Sequence, residues 1–207
     1  RLQLEYDDPA ALARREMYRV LYEGHPYGHV DATPASIRAS TRAELVAWHR
    51  DHYVPNNAFL VVVGDVTPEM VQAAAERAFR GWRSRPVTAV TYPEIAPRTT
   101  REVVVVHRPG SAQSVIAIGN VAIPRSAEDW VPLEVANQVL GGSAASRLFM
   151  DLRERRSLTY GAYSGIDERA QPGPFRARAA VGRDPRQPTV DRTGPAMEAF
   201  MEHLQRI

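Results

Sequence analysis

Cysteine is absent from the 207-residue chain, which removes disulfides, thiolate nucleophiles and every sulfur-ligated metal site at once. Lysine is absent too: all 26 basic residues are arginine, set against 24 acidic ones for a formal net charge of +2. A nucleic-acid binder gathers its basic residues on one face, whereas the densest run here, 153–156, is broken by Glu154. The arginine usage therefore reads as the bias of a GC-rich, bacterial genome, and no nucleic-acid partner is expected. Long apolar runs are missing as well. The longest, 58–63 and 103–106, are far too short to span a bilayer. No stretch reads as a signal peptide, and the composition is compatible with a periplasmic home without requiring one.

What is present is an ordinary globular composition, 44% apolar with 16 Pro and 13 Gly, enough to bury a core. Residues 9–23 have helical spacing of Leu12, Met17, Val20 and Leu21, stopped by His25-Pro-Tyr-Gly28. Thr41 and Glu44 stand at capping-box spacing before a second helix whose apolar face holds Leu45 and Trp48. Residues 58–63 form a continuous β-branched run, which predicts a fully buried strand. Thr67 and Pro68 open a third helix.

Residues 83–98, with Pro86, Pro93 and Pro97, carry no periodicity and read as a linker. Beyond it, strands are expected over 102–107 and 114–123 around the turn Arg108-Pro-Gly-Ser111. Two helices follow, the first ending at Gly141-Gly142, with Ser143 able to cap the second. Strands over 158–166 and 175–181 and a closing helix over 195–204 complete the pattern. In 175–181, Phe175, Ala177, Ala179 and Val181 alternate with arginines on one side, the signature of a sheet with one packed and one wet face. The order implies an α+β fold with helices on one face of a sheet.

The chemically interesting residues form no self-evident site. His49 and His52 lie three apart on a predicted helix. A helical zinc motif needs His-Glu-x-x-His or its inverse, His-x-x-Glu-His, and neither occurs in this sequence. The plainer reading is a helix-end histidine packing beside Tyr53. His25 and His29 flank a turn and read as structural, and His107 and His203 stand alone. Gly141-Gly142-Ser143 could hold an anion at a helix start, but it lacks P-loop spacing, and a helix connection explains it. There is no Gly-x-Ser-x-Gly elbow, and Asp7, Asp8 and Glu154 form no recognisable carboxylate pair.

Two stretches resemble the pitrilysin/insulinase family of zinc peptidases, which includes the mitochondrial processing peptidase subunits. One comprises His25-Pro-Tyr-Gly28, then the segment from Thr41 through Tyr53-Val-Pro-Asn-Asn57, and Leu60-Val-Val-Val-Gly-Asp65. The other comprises Leu140-Gly-Gly142, Ser146-Arg-Leu-Phe149, Leu152-Arg-Glu154 and Leu158-Thr-Tyr160. The resemblance implies two related domains of sheet covered by helices, the first incomplete. Their expected extents are 1–82 for the back half of the first, 83–98 for the linker and 99–207 for most of the second, which binds no metal. The family's zinc motif would lie upstream. Zinc is therefore expected in the complete enzyme or in a partner subunit, with no metal ligand and no catalytic residue in this stretch. The family also uses an Arg and a Tyr seven residues apart to bind the substrate backbone. Arg153 and Tyr160 match that pattern, and their N–H and O–H donors could stabilise an oxyanion formed on zinc-assisted attack. A peptide substrate is implied, together with a catalytic family subunit or a second copy as partner. The alternative implied by the same resemblance is a non-catalytic subunit of a two-subunit peptidase.

Overall fold

The structure is a computed structural model and describes residues 7–182 and 191–206. Its first helix, α1 (Pro9–Leu21), starts where the sequence supplies both devices a helix start needs. The Asp8 side chain accepts from the Ala10 amide at 3.0 Å, and Pro9 takes the first turn without wasting a donor. Short helix α2 (Pro34–Ala39) and α3 (Arg42–His52) each begin with a reciprocal capping box, Thr33 with Ser36 and Thr41 with Glu44. The Thr67 hydroxyl caps α4 (Pro68–Phe79). Strand β1 (Gln113–Val121), helix α5 (Trp130–Leu140), strands β2 (Thr159–Ile166) and β3 (Pro174–Gly182), and helix α7 (Thr193–Leu204) follow. Between α5 and β2, the three-residue helix α6 (Arg147–Phe149) runs into a π-helical turn, Met150–Arg155.

Backbone contacts divide the chain into two compact units. One comprises residues up to Asp31 together with those from Tyr92 onward, and the other is Ala32–Thr91.

The first unit holds an antiparallel, three-stranded sheet of order β1-β3-β2. Its register places Ile118 opposite Ala177 and Ile116 opposite Ala179, with Ala162 across from Ala179 on the other side. These residues share one face and join Leu140, Leu148, Leu152, Ala196, Ala199 and Phe200 in the main core. Side chains one residue along a strand point the other way. Accordingly Gly119 and Val121 meet α1, where Tyr18, Leu21 and Tyr22 make a second core. Helices thus cover both faces of the sheet, where the sequence pattern had implied one. The expected alternation in β3 holds: Ala177, Ala179 and Val181 are buried and Arg178 is exposed.

Two expected strands do not form. Residues 58–63 and 102–107 carry no strand pairing, and their aliphatic side chains lie in solvent, with Phe59 93% and Val105 83% exposed. A strand exists only through hydrogen bonds to a neighbour, and among the described residues neither run is paired into a sheet. The turn expected between 102–107 and β1 is present, with Gly110 at φ +78° and the Ser111 amide on the Arg108 carbonyl at 3.3 Å. Residues 83–98 have no regular structure. Within the unit Ala32–Thr91, order comes from polar anchors. The Trp82 indole N–H donates to the Tyr53 carbonyl at 3.0 Å, and Asn56 exchanges two hydrogen bonds with the Arg85 backbone.

Gly141 closes α5 against β2, where a Cβ would lie 2.3 Å from Ser164 Oγ and 2.4 Å from its backbone nitrogen. Gly165, one residue along β2, faces open space. Gly141→Ala is therefore expected to cost about 1–3 kcal/mol through overpacking, whereas Gly165→Ala leaves the thermal midpoint nearly unchanged. Thermal unfolding followed by circular dichroism checks both.

Candidate functional site

Arg153 and Tyr160 stand at either end of an irregular connection. Arg153 lies in the π-helical turn, a form that appears mostly as single turns and often at functional sites. Tyr160 lies where the β2–β3 register shifts between Thr159 and Ala162, so the ladder is broken at its position; such bulges re-aim side chains. Ser157 between them has φ +50°, a left-handed conformation held by its amide on the Arg153 carbonyl at 3.1 Å. The Leu158 amide reaches the Leu152 carbonyl at 2.8 Å, closing the end of the turn.

The Tyr160 ring is 85% exposed and its hydroxyl has no hydrogen-bond partner among the described residues. It does not pack. Arg153 is half exposed, lies 4.9 Å over the Phe149 ring, and pairs with its neighbour Glu154 at 3.3 Å. An ion pair that wet holds little energy, so the guanidinium remains available. No hydrogen bond joins Arg153 to Tyr160, and each presents unspent donors to solvent.

Beneath them lies a buried polar group. Asp151 is 7% exposed, and its carboxylate accepts from His203 Nε2 at 2.9 Å and pairs with Arg156 Nε at 3.0 Å. Arg156 also donates to Glu202. His203 and Glu202 belong to α7, so a network of four side chains ties the π-helical turn to the last helix.

A family model described as the peptidase M16 inactive domain matches residues 39–207. The chain belongs to the peptidase M16 family. This is the zinc-peptidase family that its two motif stretches resemble. It is 31% identical over 180 residues to an uncharacterized zinc protease of Mycobacterium leprae, covering 84% of this chain and 40% of that protein. It is 26% identical to the Bacillus subtilis protein named probable inactive metalloprotease YmfF, covering 81% of this chain and 39% of that protein. The crystal structure of a peptidase M16 inactive domain from Pseudomonas fluorescens superposes with a TM-score of 0.82 at 26% identity, over 99% of this chain and 48% of that one. A Helicobacter pylori protease at 19% identity shares the fold, with a TM-score of 0.84 over 98% of this chain and 48% of that chain. The chain spans about 40% of the length of the curated relatives it matches.

His25, His49 and His52 of this M16 chain take local structural roles. The His49 ring stacks on Tyr53 with centroids 4.6 Å apart, and His52 Nδ1 lies 2.8 Å from the Trp48 carbonyl. His25 is buried, and its Nδ1 accepts from the Tyr27 amide at 3.1 Å; burial pushes this imidazole's pKa down. Among the described residues no group of three or more His, Cys, Asp or Glu side chains could hold a metal ion, so these residues do not fit a zinc centre. No helix among them is long and apolar enough to cross a membrane. Gly141-Gly142-Ser143 serves a packed helix end: the next helix begins only at Arg147, after Ser146.

His203, read from sequence as standing alone, is the exception. Its partner Asp151 is 52 residues away, and only the packing of α7 brings them together. The nearby pattern Asp151-Leu-Arg-Glu-Arg-Arg156 signals charge density but no particular partner.

Burial alone would raise the Asp151 carboxyl. The hydrogen bond from His203 and the neighbouring charge of Arg156 outweigh it and hold the group below the ordinary carboxylate range. A carboxyl held low in the folded state contributes stability above its unfolded pKa of about 3.9. That contribution is lost as pH falls through the lowered folded value. Asp151→Asn is therefore expected to flatten the fall of the thermal midpoint below about pH 4 while lowering the midpoint at neutral pH. Melting curves across an acid series decide it; parallel curves would place the acid sensitivity elsewhere.

Proposed function

We propose that this M16 chain supplies the substrate-binding wall of a zinc metallopeptidase, with Arg153 and Tyr160 as donors to the backbone of a bound peptide. The observation that carries the reading is the exposed, unpartnered Tyr160 hydroxyl across the π-helical connection from Arg153. The Tyr160 hydroxyl and the Arg153 guanidinium are both open to an incoming chain. Donors set in advance on rigid, irregular backbone are the means by which a developing oxyanion or an extended substrate is held. His-x-x-Glu-His is missing from this sequence, so in this reading zinc belongs to another part of the complete protein or to a partner, and this chain alone is inactive.

The same reading takes residues 1–82 as the back part of one domain, 83–98 as linker and 99–207 as most of a second, related one. The exposed apolar runs 58–63 and 102–107 support it, since each has strand composition and, among the described residues, no strand partner. In the complete protein, further chain would pair with them.

A second reading has one observation in its favour. The Bacillus subtilis relative bears the name probable inactive metalloprotease, so the complete protein would be a non-catalytic subunit working with an active family member or a second copy. Zinc content and peptide turnover of the full-length protein, alone and mixed with a neighbouring family subunit, separate the two. Bound zinc with turnover alone supports the first reading; turnover only in the mixture supports the second.

Under either, Arg153→Ala in the active form is expected to lower kcat/KM by about 100-fold and Tyr160→Phe by about tenfold or more. Neither should shift the melting temperature by much, because Tyr160 is solvent-exposed and Arg153 is held by a wet ion pair and one contact over the Phe149 ring. Peptide turnover unchanged in both variants would remove these two residues from the site.

A further inference from the structure

A network of four side chains, His203–Asp151–Arg156–Glu202, flanks Arg153 along the chain. Asp151 lies two residues before it and Arg156 three after, and both are tied to adjacent residues of α7, His203 and Glu202. Residues two apart on a helical turn point to opposite sides. The buried Asp151 thus faces inward when Arg153 faces solvent. Leu152, fully buried between them, fixes the turn against the main core. A third tie lies further along, where the Arg192 guanidinium, just before α7, donates to the Ser157 carbonyl at 2.6 Å. Every exit from the segment 151–157 is therefore anchored to α7 or its approach.

Replacing a buried ion pair by packed apolar groups is often neutral or stabilising, whereas fixed geometry at a π-helical turn needs directional bonds that set both its phase and its end. We propose that Asp151 and His203 are positioning residues: through the Asp151–His203 bond, helix α7 sets the orientation of the turn that carries Arg153 and so the aim of its guanidinium. The inference rests on the reading of Arg153 as a peptide-binding donor. The peptide itself never meets Asp151 or His203.

The test is a double-mutant cycle read as peptide binding by the full-length protein. Fluorescence anisotropy of a fluorescein-labelled 20-residue random-coil peptide would be measured for wild type, Asp151→Ala, Arg153→Ala and the double variant. Asp151→Ala is expected to weaken binding about tenfold in the wild-type background and less than about twofold beside Arg153→Ala, because its effect passes through Arg153. His203→Gln should follow the same pattern with a smaller loss; it is the variant that counts if circular dichroism shows Asp151→Ala unfolded. Equal losses in the two backgrounds would mean that the network serves stability alone, and no loss in either would equally overturn the proposal. Binding unchanged by Arg153→Ala itself would overturn the underlying assignment of Arg153, an outcome distinct from both.

Discussion

The contact on which the first unit depends is made from some of the smallest side chains in the chain. Ala177 and Ala179 of β3 and Ala196 and Ala199 of α7 are all buried in one cluster. Alanine on both partners lets a helix approach a sheet closely, and close approach excludes water from the larger groups around it. Phe200, Leu148 and Leu152, none measurably exposed, fill the remaining space. β3 is also the central strand, hydrogen-bonded on both edges, so whatever seats α7 on β3 seats it against the whole sheet.

The candidate site is a consequence of that seating. With α7 in place, His203 reaches Asp151, and a carboxylate that would be costly to bury alone gains two charged or polar donors. The π-helical turn is then held from within while its outer side chain stays free. The same economy appears on the opposite face of the sheet, where Tyr18 donates to Asp167 and Asp167 pairs with Arg176, while the Tyr22 hydroxyl reaches the Pro172 carbonyl at 2.9 Å. Polar pairs fasten α1 to the loop before β3 where the apolar area there is modest. Burial pushes the pKa of both tyrosines up, reinforced at Tyr18 by its hydrogen bond to Asp167.

Much of this was legible in the residue order. Helix starts were readable because a cap is a local device: Thr41 with Glu44 and Thr67 with Pro68 act within one turn. The alternation in β3 was readable because a strand with one wet face repeats every two residues. Residues 58–63 misled for a physical reason. A β-branched run states a preference for a pleated, half-buried surface, and that preference is met only when another strand is present to bond to. The second covered face was hidden as well, since nothing in 9–21 names which side of the sheet α1 will take. Arg153 and Tyr160 were found by family resemblance. Their placement on a π turn and a ladder break depends on bonds such as Leu158 to Leu152 that no local pattern announces.

The amino-acid sequence by itself determined the class of the chain, most of its helices, the caps at Thr41 and Thr67, the alternation in β3 and its M16 membership, because each of these is written in short-range spacing or in motif strings. Tertiary structure alone decided which apolar runs became strands, that both faces of the sheet are covered, and that a histidine near the end of the chain closes on an aspartate 52 residues earlier. The reason is one of range. Capping and periodicity act over a few residues, whereas strand pairing and buried ion pairs need partners that only the folded chain brings within hydrogen-bond distance.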